Sequence, residues 1–210
     1  MACRYCAYDL GHSTTCPAYD PRAPKPVPSK SERSGDVRYS GREFEYDLFG
    51  QADVRNPEYL EALQRAKKPD GHITYRDAVT LVKKFQPWDP TNPSKDFFRE
   101  LVLALQDKLD IDTGKNPDAV GAYTALKTPL DVLHGVDAFL TVRQGGSESI
   151  VTLDATLNKE KQASGHKADF IIGDDFPDAN EDEDGYLDAI EKLAGRIASR
   201  VKESSDHAAE

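Results

Sequence analysis

The stretch GVDAFLTVRQGGSESIVTLDATLN, Gly135 to Asn158, constrains the fold more than any other part of the chain. Two runs rich in β-branched and apolar residues flank a pair of glycines, a pattern that predicts a tight hairpin. In the first run Val136, Ala138, Leu140 and Val142 share one face, and Asp137, Phe139 and Thr141 the other. In the second, Val151, Leu153, Ala155 and Leu157 face one way and Thr152, Asp154 and Thr156 the other. With the loop centred near Gly145 and Gly146, residues whose numbers sum to about 291 lie opposite each other, which sets Asp137 against Asp154. Strands disfavour aspartate, and two facing carboxylates repel unless a cation lies between them or the face is open to water. Mg2+ suits such a pair, because it is commonly held by one or two carboxylates together with phosphate oxygens and water.

What surrounds the hairpin sets the fold class. The segment NPEYLEALQRAKK carries an Asn cap and a first-turn Pro, and TYRDAVTLVKKF repeats apolar residues at spacings of three and four, so an antiparallel helix pair is expected. SKDFFRELVLALQDKL, with Ser94 as its cap, predicts a central apolar helix. After the hairpin come a third strand, ADFIIG, and a last helix from about Tyr186 to Val201. Helices, then strands, then a helix predict an α+β domain, a helical N-terminal half packed on a small mixed or antiparallel sheet. The division expected is a zinc module over 1–16, a Pro-rich flexible linker over 17–45, the core over 46–203 and a disordered tail over 204–210.

A length of 210 residues, 38% of them hydrophobic, suits one core with small additions. The chain has no apolar run of spanning length and no secretory leader pattern, which predicts an intracellular, cytoplasmic protein with no membrane partner. The net charge of −10 matches the ten acidic residues between Asp169 and Glu191, a segment without Lys or Arg. The rest of the chain is neutral, so its overall charge does not exclude nucleic acid.

Two further segments read as metal sites. CRYCAYDLGHSTTC places Cys3, Cys6, His12 and Cys16 as C-x2-C-x5-H-x3-C, two close pairs of soft ligands that can close a tetrahedron around Zn2+. The cluster resembles the retroviral-type zinc knuckle, with His12 one position later than in that pattern. The resemblance implies a grip on single-stranded nucleic acid, with Tyr5, Tyr8 and Arg4 available for stacking, and a tail of this kind also suits a protein partner. NEDEDGYLDAIE matches a calcium-loop template, with Asn180, Asp182, Asp184 and Glu191 at ligand positions and Gly185 at the sharp turn. Its alternative is an acidic lead-in to the last helix.

An aspartate at the head of one strand and a second acid on the next, following a helix, resemble the core of the PD-(D/E)XK nucleases. That resemblance implies an αβββαβ arrangement in which Asp137 and Asp154 hold Mg2+ and Glu100 is an auxiliary acid from the preceding helix. Thr156 stands where the family carries a lysine, and Lys159 or Lys161 is the substitute the resemblance suggests. The function expected is a metal-dependent phosphodiesterase acting on or binding nucleic acid. The alternative is a non-catalytic structural or interaction protein stabilised by zinc, with the acidic loop binding calcium.

Overall fold

The hairpin turns on two residues. Gly145 and Gly146 take φ of 59° and 84°, the positive values that a two-residue turn needs if its twist is to match the strands it joins. It connects β2 (Ala138–Gln144) to β3 (Ser147–Ala155). The antiparallel partners run from Gln144↔Ser147 to Ala138↔Leu153, every pair summing to 291. This computed structural model describes residues 40–158 and 168–207. The zinc-type residues Cys3, Cys6, His12 and Cys16, with Arg4, Tyr5 and Tyr8, most of the Pro-rich linker, and Lys159, Lys161 and His166 lie outside them.

Two more strands complete a mixed sheet in the order β1-β2-β3-β4. β1 (Val120–Thr124) is antiparallel to β2, and β4 (Phe170–Ile172) is parallel to β3. β1 falls in a stretch whose sequence suggests only a looser connection, since VGAYT is short, holds a glycine and does not alternate. All five of its residues are buried. A Cβ at Gly121 would come within 3.1 Å of the Thr141 hydroxyl and the Tyr123 ring, so the position accepts no side chain without displacing them.

Six helices lie among the described residues, and most begin at caps. α1 (Gly41–Phe49) starts inside the stretch expected to be linker. Its cause is local: the Ser40 hydroxyl accepts from Glu43 N–H while the Glu43 carboxylate takes the Ser40 N–H, a reciprocal capping box. α2 (Pro57–Ala66) and α3 (Tyr75–Lys84) start at Asn56 and Thr74, whose side chains accept from Glu58 and Asp77 N–H. α4 (Asp96–Lys108) departs from expectation at its start, where Lys95 rather than Ser94 is the cap and no side chain closes it. α5 (Pro129–His134) begins at Thr128 and ends on Gly135 in the left-handed region. α6 (Glu183–His207) runs past 204, where a tail was expected. Neither Gly nor Pro stops it there, and Ser204 donates back to Arg200 O at 2.9 Å.

The sheet is buried on both faces. Phe139 and Tyr123 stack at 4.8 Å on one side, under Ile73, Val79 and Val82 from in and around α3 and Leu130 of α5. On the other, Ala138, Leu140, Val142 and Leu153 have no exposed surface. α4 meets β1, α6 meets β3, and those two helices pack on each other. α1 joins through Phe49, stacked on Phe98 at 5.5 Å, and also reaches β3. No helix among the described residues is long and apolar enough to cross a membrane.

Phe98 has no exposed surface and touches the rings of Phe49, Phe97 and Trp88. Phe98→Ala is expected to cost about 3–5 kcal/mol in urea unfolding. A cost under about 1 kcal/mol would mean that α1 and α4 do not share this aromatic core.

Candidate functional site: a buried acid pair

The register places Asp137 and Asp154 on adjoining strands at the open end of the hairpin. Asp137 immediately precedes β2, and its N–H donates to Leu153 O at 3.2 Å. Asp154 lies within β3, opposite Ile171 of β4. The turn before α5 is tied to the same point, because Ala125 N–H donates to Asp137 O at 2.8 Å.

Neither carboxyl faces water, for each residue is 6% exposed. Thr141, Thr152 and Thr156 on the same alternation are buried too. A solvated face therefore does not relieve the repulsion. A proton does. Burial, and then the hydrogen bond to Asp154, push the Asp137 carboxyl from its ordinary 3.8 up to about 9. The charges of Asp154 and Glu45 act in the same direction, while Ala155 N–H, donating to Asp137 Oδ2 at 3.0 Å, opposes them. At neutral pH Asp137 is a neutral acid held against a neighbouring carboxyl, an arrangement known from like acids that share a site.

Glu45 is the acid that sequence reasoning missed. It sits in α1, inside the stretch expected to be linker, and the signal for that helix was the S-x-x-E box of Ser40 and Glu43. Glu100, expected as the auxiliary acid, projects from α4 beside Arg99, with Oε1 3.7 Å from Nε. Its charge falls on Tyr186 of α6, whose phenol is raised first by burial and then by Asp96 and Glu100.

At the position of the family lysine, Thr156 is buried and its Oγ1 accepts from Asn158 N–H at 3.1 Å. Its own N–H donates to Ile172 O at 2.9 Å, extending the ladder toward β4. His134 ends α5 with Nε2 3.1 Å from Ile73 O and its ring edge-on to Tyr75.

The calcium-loop residues straddle the start of α6, with Asn180 and Asp182 before it and Asp184 and Glu191 within it. Asp182 Oδ1 accepts from Gly185 N–H at 2.9 Å, Asp184 lies in the first turn, and Glu191 is ion-paired with Lys108 of α4. Asn180 precedes the helix, with its amide 3.0 Å from Asp178 Oδ1. Asp184 and Glu191 are seven positions apart in the helix, about 10 Å along the axis. Among the described residues no three His, Cys, Asp or Glu side chains form a group that could hold a metal ion. The acid pair offers two hard oxygen donors, a set that fits Mg2+ or Mn2+ completed by water or phosphate and does not fit a closed Zn2+ site.

The raised Asp137 carboxyl has a stability signature. Between its unfolded value near 3.8 and its folded value of about 9, the native state binds the extra proton. Its contribution is fully present below pH 4 and is lost as pH rises through 9. Asp137→Asn cannot ionise and still accepts from Ala155 N–H. The stability of the parent relative to this variant is thus expected to fall from pH 5 to 9, by at most about 1.4 kcal/mol per pH unit. Urea midpoints across that range check this, and a constant difference would mean that Asp137 is ionised throughout. No protein-family model matches the chain, and no curated protein or solved structure matches it either.

Proposed function

We propose that Asp137 and Asp154 form the divalent-cation site of a nuclease-like phosphodiesterase core that acts on nucleic acid. The observation that carries this reading is the burial of two acids hydrogen-bonded to each other across adjoining strands. A fold that merely needed a well-packed strand pair would place apolar residues there, since a buried acid pair costs stability as soon as its proton leaves. The chain order supports it as well. In chain order α4, β1, β2, β3 and β4 match the helix and strands of the αβββαβ arrangement except that α5 stands between β1 and β2; β3 and β4 are parallel, with no helix between them among the described residues.

A bound divalent cation supplies positive charge against a phosphate and a more acidic water. The chain's own residues have simpler tasks. Ala155 N–H orients Asp137 Oδ2, the strand ladder holds Asp154 beside it, and Asp137 would release its proton to solvent on binding a cation. Positive charge near the scissile phosphate falls to Lys159 or Lys161, since Thr156 carries none. In the same proposal Cys3, Cys6, His12 and Cys16 hold Zn2+ and bring nucleic acid or a protein partner to the core.

Thr156 favours a second reading, a non-catalytic interaction protein that keeps the acid pair without the lysine. The two readings separate on incubation with labelled DNA or RNA and Mg2+ or Mn2+. Cleavage is expected from the parent protein and is expected to drop about a hundredfold or more in Asp154→Ala. Equal cleavage by both proteins, or by neither with any metal, would remove the enzyme.

Cation entry should also release about one proton per ion at pH 7, read by titration calorimetry in two buffers of different ionisation enthalpy. Reduced, purified protein is expected to hold about one zinc per chain. A metal-free preparation would sink the zinc assignment.

A further inference from the structure

Beside the acid pair, on the same face of the sheet, an open cavity of about 430 Å3 is lined by Tyr75, His134, Val136, Ile150, Thr152 and Asp169. Its place follows from the strands. Val136 precedes β2 and, against the alternation expected for it, joins the Phe139 side, while Thr152 lies one pleat period from Asp154, about 7 Å along β3 with the same orientation. A group seated in the cavity is thus a direct neighbour of whatever the two acids hold.

The walls have a definite chemistry. Tyr75 and His134 meet edge to face, with centroids 5.5 Å apart and planes at 87°. Tyr75 is 41% exposed and Ile150 36% exposed, so ring and alkyl surface are available to a flat apolar guest. The polar end is rigid. Asp169 Oδ2 accepts from Thr152 N–H at 2.9 Å and from Thr152 Oγ1 at 2.8 Å, and Asp169 N–H donates back to Thr152 Oγ1 at 2.9 Å. Asp169 Oδ1 has Arg200 Nη2 at 3.7 Å, beyond hydrogen-bond range. One carboxylate oxygen is thus locked in the fold, and the other keeps lone pairs for a donor.

We propose that this cavity is a base subsite, which takes one unpaired nucleobase of the nucleic acid held at the acid pair and reads its N–H donors through Asp169. The class of ligand rests on the phosphodiesterase reading; the cavity's own groups add the rest. Aromatic surface stacks a base of any identity, and an acceptor-only carboxylate selects the edge. Guanine presents two adjacent donors, N1–H and the N2 amino group, to Asp169 Oδ1. Thymine presents one N–H flanked by two carbonyls that the carboxylate repels. The Asp169 carboxylate in the cavity wall repels a phosphate, so the base and not the phosphate enters.

The test uses the full chain without added Mg2+, with guanosine and thymidine 5′-monophosphates as probes in calorimetric titrations. Guanosine monophosphate is expected to bind at least about tenfold more tightly than thymidine monophosphate. Tyr75→Ala, at an exposed helix start, is expected to weaken it about tenfold. Asp169→Asn is expected to erase the preference; because Asp169 also anchors β4, its circular dichroism spectrum must match the parent's for that result to count. Mg2+ binding, titrated separately on Tyr75→Ala and Asp154→Ala, is expected to survive in the first and vanish in the second. Absence of guanosine binding by the parent protein, equal binding of both nucleotides, or full binding by Tyr75→Ala would overturn the base subsite whatever Mg2+ does. Absence of Mg2+ binding with selective guanosine binding would instead overturn the cation site and leave the base subsite standing.

Discussion

A two-glycine turn sets β2 against β3, and the register it imposes decides what kind of site the protein has. Side chains alternate across a strand, so a slip of one residue between the two strands would put Asp137 and Asp154 on opposite faces of the sheet. The seven partner pairs that follow the turn leave no such freedom. The positive φ at both glycines is the local cause, and the apolar faces buried under helices hold the register from outside.

From that register follows an electrostatic problem with one solution on display. Two carboxyls brought together away from water repel, and burial with the neighbouring acid raises the Asp137 carboxyl. Burial acts first and the neighbouring carboxyl second, and both favour the neutral form of Asp137. Glu45 strengthens this tendency from α1, and Ala155 N–H keeps one Asp137 oxygen directed. The neighbouring cavity shares the sheet face with the acids but not their charge problem. Its one acid, Asp169, is stabilised by two donors from Thr152 and has Arg200 nearby.

Much of the framework was legible because its causes lie within a few residues. Caps and turn residues, namely Asn56, Thr74, Gly145 and Gly146, each act on the adjacent backbone, and the helices and hairpin they bound appear where the sequence predicts. Where local signals were weak or misread, the reading slipped. β1 lacks alternation because it is buried on both faces. α1 was concealed by the Pro-rich composition before it, although Ser40 and Glu43 carry its capping box. The last helix outran its expected end for want of a stop.

By itself the sequence determined that Asp137 and Asp154 would face each other, since alternation and a two-residue turn suffice for that. It could not determine whether that face would be wet. A row of Asp and Thr on alternate positions reads equally as a solvent-facing edge or as a buried polar line, and the difference lies in elements far away in the chain. Only the tertiary structure, by covering the sheet on both faces and drawing α1 up to β3, turned two acids into a proton-sharing pair. Pairing is a property of neighbouring backbone. Desolvation is a property of everything packed above it, and it is desolvation that gives the pair its chemistry.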